Sequence, residues 1–69
     1  MITEFLEGET YTNPSLEQDI MVLGRAEKTQ DTVLLSVLYI DRDTTETIDF
    51  GELEVHLGDY QNWKVADYD

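Results

Sequence analysis

The chain contains no cysteine, a single histidine, a single proline and only four basic residues among its 69. Without cysteine there are no disulfides and no thiolate metal ligands. One histidine, His56, is not enough for a histidine-rich zinc site. The four glycines form no phosphate-cradling loop. No run of eighteen apolar residues is present, so no membrane-spanning helix is expected. No basic region followed by an apolar stretch opens the chain, so a secretory leader is not expected and a cytoplasmic setting is. The two serines, Ser15 and Ser36, form no recognisable nucleophile, base and orienter set with His56 and Glu54, and the chain does not read as an enzyme.

What is present is acid. Sixteen carboxylates face the four cations, for a formal net charge of −12. Like charges repel, so direct binding to nucleic acid or to an anionic membrane is disfavoured. Basic protein surfaces are the favoured partners, and hard cations come next. Self-repulsion of this size is screened by ions, so the fold is expected to gain stability with added salt.

Sixty-nine residues make one small domain, 1–69. A chain of this size buries ~60% of its unfolded surface, and its core supplies ~3–5 kcal/mol of net stability. Any further staple must be an oxygen-liganded cation or another protein chain. The hydrophobic fraction of 41% is too high for a disordered chain.

Hydrophobic patterning points to extended structure. Glu9 to Asn13 reads as a short strand, and Asn13-Pro14-Ser15 as a turn, with Ser15 as N-cap of one helical turn. Asp19 to Lys28 starts apolar and becomes polar, and Gly24 in its middle predicts a bulge. Thr29-Gln30-Asp31 reads as a hairpin loop without the usual glycine. Thr32 to Ile40 is the central strand and Asp41 to Thr45 the turn after it. Glu46 to Phe50 alternates, and after Gly51 the residues Leu53, Val55 and Leu57 alternate with Glu52, Glu54 and His56 in the cleanest period of two in the chain. Gly58 to Asn62 is a loop or single 3₁₀ turn, Trp63 to Ala66 closes the sheet, and Asp67-Tyr68-Asp69 is an acidic tail expected to fray. The expected core is Ile20, Val22, Leu23, Val33, Leu35, Val37, Ile48, Phe50, Leu53, Val55 and Trp63.

This order of pieces over Gly8 to Ala66 resembles that of small SH3-like proteins, including small acidic phage-encoded ones. The resemblance implies an all-β, five-stranded, partly open barrel with one short helical turn, whose function sits in its surface chemistry. The aromatic signature of peptide-binding SH3 domains is absent, and Leu38-Tyr39-Ile40-Asp41 is its nearest echo. Polyproline recognition is therefore not implied.

Asp41 to Glu52, DRDTTETIDFGE, resembles a calcium loop of the EF-hand type. Asp41, Asp43, Thr45, Asp49 and Glu52 stand at oxygen-bearing places. The sixth place, where that loop needs glycine, is Glu46, and the following segment alternates as a strand. An acidic hairpin turn is the simpler reading, and no cofactor is expected.

The remaining candidate is the acid array Asp41, Asp43, Glu46, Asp49, Glu52, Glu54 and Asp59, with Tyr60 as its aromatic anchor. Alternate outward carboxylates on a strand lie ~6.5–7 Å apart, close to the phosphate spacing of a nucleic-acid strand. These residues are the expected contacts to a basic protein surface. In the sharper version the chain is a phage-type inhibitor of a host nucleic-acid-binding protein, acting by partial nucleic-acid mimicry. Two alternatives stay open: a structural subunit of a larger assembly such as a virion, self-associating as a homo-oligomer through a sheet edge, and a weak calcium-binding module.

Overall fold

The computed structural model describes residues 2–66, apart from the side chain of residue 26. The acidic tail expected to fray lies outside the described residues. The protein is all-β: β1 (Thr10–Asn13), β2 (Gln18–Lys28), β3 (Thr32–Ile40), β4 (Thr47–His56), a 3₁₀ turn (Leu57–Asn62) and β5 (Lys64–Val65). They form one five-stranded sheet in the order β4-β3-β2-β1-β5, with every pairing antiparallel. Among the described residues no helix is long and apolar enough to cross a membrane.

The strands follow from their residues. In β3, Val33, Leu35 and Val37 are buried while Leu34, Ser36 and Leu38 are half-buried, the two-residue period of a pleated strand with one face inward. Gly24 lies where expected, between register shifts at Val22/Gly24 and Arg25/Glu27 that bend β2. The glycine-free β2–β3 turn is closed by threonines. The Thr29 N–H donates to the Thr32 carbonyl at 2.8 Å, the Thr32 N–H donates to Thr29 Oγ1 at 3.0 Å, and the two hydroxyls lie 2.7 Å apart.

In the β1–β2 turn the cap is Asn13, not Ser15. Buried Asn13 accepts through Oδ1 from the N–H groups of Ser15 and Leu16. An amide oxygen two residues upstream reaches these donors in an Asx-type turn.

The core gathers Phe5, Tyr11, Ile20, Val22, Val33, Leu35, Val37, Val55 and Trp63, with Leu53 half-buried against it. Leu23, Ile48 and Phe50, expected inside, are exposed, Ile48 at 67% and Phe50 at 74%. The reason is parity. β4 runs unbroken through Gly51, so Gly51, Leu53 and Val55 face Val37, Leu35 and Val33, and the even-numbered residues turn outward. Phe50 and Leu53 cannot share a face of one continuous strand. Ile48 stands at a register shift between the Tyr39–Asp49 and Ile40–Thr47 pairs, and Leu23 at the first shift in β2.

Phe5 and Tyr11 take the vacated interior places. Phe5 makes edge contacts with Tyr11, Tyr60 and Trp63 at centroid distances of 4.8, 5.2 and 5.8 Å. The Leu6 N–H donates to Tyr11 Oη at 2.8 Å, and the Gly8 N–H to the Val22 carbonyl at 2.8 Å, which ties the lead-in to the sheet.

Among the described residues two that bear side chains hold positive φ, Glu17 at 52° and Thr45 at 60°. Thr45 is β-branched, for which this region is costly. Replacing Thr45 by glycine should raise stability by about 0.5–1 kcal/mol. That figure is the left-handed penalty of about 1–2 kcal/mol less the entropy glycine loses on folding. A urea melt of T45G against the parent measures it.

Candidate functional site

The β3–β4 turn and β4 carry most of the predicted acid array, and the structure gives its members different work. Asp41 organises the turn. Its Oδ1 accepts from the N–H groups of Asp43 (2.8 Å) and Thr44 (3.3 Å), its N–H donates to the Glu46 carbonyl at 2.8 Å, and its carbonyl accepts from the Thr45 N–H at 2.7 Å. One oxygen of that carboxylate is thus committed to the backbone. Asp43 and Glu46 project from the same turn into solvent. Asp49 is exposed and accepts from the Phe50 N–H at 2.8 Å.

β4 lies at one edge of the sheet. Its outward face presents Phe50, Glu52, Glu54 and His56 in succession, opposite Leu38, Ser36, Leu34 and Thr32 of β3. His56 Nε2 stands 3.6 Å from Glu54 Oε1, both side chains largely exposed, which confirms their common face. The register continues the Phe50–Leu38 pair to Met21 of β2, so an apolar row crosses three strands on the face away from the core. Glu52 and Glu54 follow Phe50 along β4, and Asp49 and the acidic turn precede it. The result is an exposed aromatic followed on its own face by two carboxylates. The charge pattern was visible in the sequence. The apolar centre was missed, and the parity of the strand through Gly51 is the signal that would have found it.

Asp59 and Tyr60 stand apart from this row, on the 3₁₀ turn that follows β4. Asp59 is exposed and Tyr60 half-buried against the core. Burial pushes the Tyr60 phenol above its ordinary value of 10.0; nearby Arg25 opposes the shift and Glu4 adds to it. A raised phenol pKa favours the neutral ring in the folded state. This contribution is fully present below pH 10 and is lost as pH rises through the folded-state value. In urea melts at a series of alkaline pH values, Y60F should flatten the loss of stability above pH 10.

Asp19 and Arg42 form an ion pair that no spacing along the chain announces. The Asp19 side chain, 2% exposed, accepts from Arg42 Nε at 3.1 Å and Nη2 at 3.2 Å, and from the Thr12 hydroxyl. Arg42 comes from the β3–β4 turn, where its side chain is 45% exposed, so the pair fastens the acidic hairpin to the β1–β2 end of the sheet.

Among the described residues no three or more His, Asp or Glu side chains converge as a metal site. Asp41 is turned into its own loop, and the positive φ falls on Thr45 and not on Glu46. Comparison with known proteins gives no match to a family model, a curated protein or a solved structure.

Proposed function

We propose that the protein is a non-enzymatic interaction module that docks on a basic protein surface through the outward face of β4 and the turn before it. The observation that carries this reading is Phe50, 74% exposed on an edge strand and followed on the same face by Glu52 and Glu54. Aromatics in the middle of a contact supply most of its energy, and surrounding charges supply orientation and encounter rate. Phe50 offers more free aromatic surface than half-buried Tyr60, and is the better anchor.

A basic partner is favoured over a second copy. Two β4 edges brought together would set carboxylates against carboxylates, and like charges opposite one another destabilise a strand pair. The sharper form of the proposal is an inhibitor of a nucleic-acid-binding protein in the cytoplasm. Its support is the ~6.5–7 Å step between alternate outward carboxylates such as Glu52 and Glu54. Kinship with SH3-like proteins belongs to the same proposal, and its support is the five strands with a one-turn connection before the last.

The test is capture from cell extract at about 50 mM and about 500 mM salt. Basic, nucleic-acid-binding proteins should be retained at low salt and lost at high salt. F50S should weaken capture by tenfold or more, about the 1.4 kcal/mol expected of one anchoring aromatic. Recovery of no basic protein at low salt, or equal capture by F50S, would overturn the reading.

A further inference from the structure

The sheet has two edges, and they are not alike. β5 is two residues long and carries Lys64, two features that discourage further pairing. β4 is ten residues long, contains no proline or lysine, and keeps one register against β3 from Asp49 to His56. An edge of this length is a template for another strand.

The ladder shows which backbone groups that edge offers. The Leu57 N–H donates to the Asp31 carbonyl at 2.7 Å, in the same register as the β3–β4 pairs. Antiparallel rungs alternate, so Val55, Leu53 and Gly51 turn their N–H and C=O groups to β3, while Glu54, Glu52 and Phe50 turn theirs to the open side. The Phe50 N–H agrees with this parity, since its acceptor is the Asp49 side chain and not β3. Among the described residues the backbone groups of Glu52 and Glu54 have no protein partner on that side.

From this parity we infer that the basic partner contributes an extended segment that pairs antiparallel with β4 as a sixth strand, an inference that rests on the docking function proposed above. Strand addition takes its affinity from main-chain hydrogen bonds and its specificity from alternate side chains. Opposite Glu54 and Glu52 the segment carries lysine or arginine, and opposite Phe50 an apolar residue, all on the face away from the core. The residues between them lie opposite Leu53 and Gly51 and are apolar. From its N-terminus the segment therefore reads basic, apolar, basic, apolar, apolar. The same glutamates that keep two copies of β4 apart admit a cationic strand, and the net charge of −12 draws one in before contact.

The test is a proton–nitrogen NMR titration of the labelled full chain at low ionic strength with acetyl-Val-Lys-Val-Lys-Val-Leu-amide and two methylated forms of it. In one form both lysine backbone nitrogens are methylated, which removes the donors aimed at Glu54 and Glu52. In the other the second and third valine nitrogens are methylated, which removes donors aimed away from β4. The parent peptide should shift the Glu52 and Glu54 backbone N–H signals and slow their exchange with solvent. Methylation at lysine should weaken binding tenfold or more, and methylation at valine less than threefold, although all three peptides carry the same charge. E52Q/E54Q should lower affinity for the parent peptide about three- to tenfold, as two exposed charge contacts allow. Equal binding of the two methylated forms, or shifts confined to Asp43 and Glu46, would overturn the inference. The docking function fails separately: capture from extract can persist in a protein that adds no strand, and the peptide can add to a protein that captures no basic partner.

Discussion

Replacing Phe5 by alanine is expected to unfold most of the protein at 25 °C. Phe5 is buried and meets the rings of Tyr11, Tyr60 and Trp63 edge-on at 4.8–5.8 Å. Truncating a buried phenylalanine costs about 3–5 kcal/mol through lost transfer energy and the cavity left behind. A domain of this size has only about 3–5 kcal/mol to lose. Phe5 also lies outside every strand, so its removal frees the lead-in as well as emptying the core. Urea melts followed by Trp63 fluorescence and by circular dichroism measure the effect. F5L, which keeps most of the volume, should retain a cooperative transition within about 1.5 kcal/mol of the parent. An F5A chain as stable as the parent would show that the aromatic cluster does not close this core.

The second large effect is expected from Arg42→Ala. Asp19 is a carboxylate with a 2% exposed side chain, held by the Arg42 fork and the Thr12 hydroxyl. Removing one partner of a buried pair leaves a desolvated charge, at a cost of about 3–5 kcal/mol when both groups are buried. Because the Arg42 side chain is 45% exposed, solvent already weakens the pair, and about 2–3 kcal/mol is the expected loss. R42K should fall between R42A and the parent, since a lysine offers charge without the planar fork. The double variant D19N/R42M should recover to within about 1 kcal/mol of the parent, because no unpaired charge then remains inside. If R42A alone is neutral, the pair is an ornament of the surface. If the double variant is as unstable as R42A, the loss comes from packing and not from charge.

These two residues mark the limit of what the sequence discloses. The strands were legible because alternation is a local property: Thr32 to Ile40 and Gly51 to His56 announce themselves by period, and Gly24 announces its bulge. Whether Gly51 interrupts β4 was not legible, and on that single point turned the placement of Phe50, and with it the apolar centre of the candidate site. Phe5 gave no signal because a lone aromatic in an irregular lead-in has no period to read. Tyr11 sat in a strand too short to show which of its faces is inward. The Arg42–Asp19 pair joins residues 23 apart in sequence, and no spacing rule predicts such a contact. The acidic residues were all visible, yet their separate places (Asp41 in the turn, Glu52 and Glu54 on the face, Asp59 on the 3₁₀ turn) depend on tertiary structure.

The sheet order also sets a sequence of assembly. β2, β3 and β4 are consecutive hairpins joined by short turns, whereas Tyr11 finds its partner Val65 near the opposite end of the chain. Local loops close with little entropy and distant ends with more, so the three-stranded meander nucleates folding and the β1–β5 ladder zips afterwards. What zips last opens most readily. Amide exchange should therefore be fastest along Lys64–Val65, while the meander stays shut.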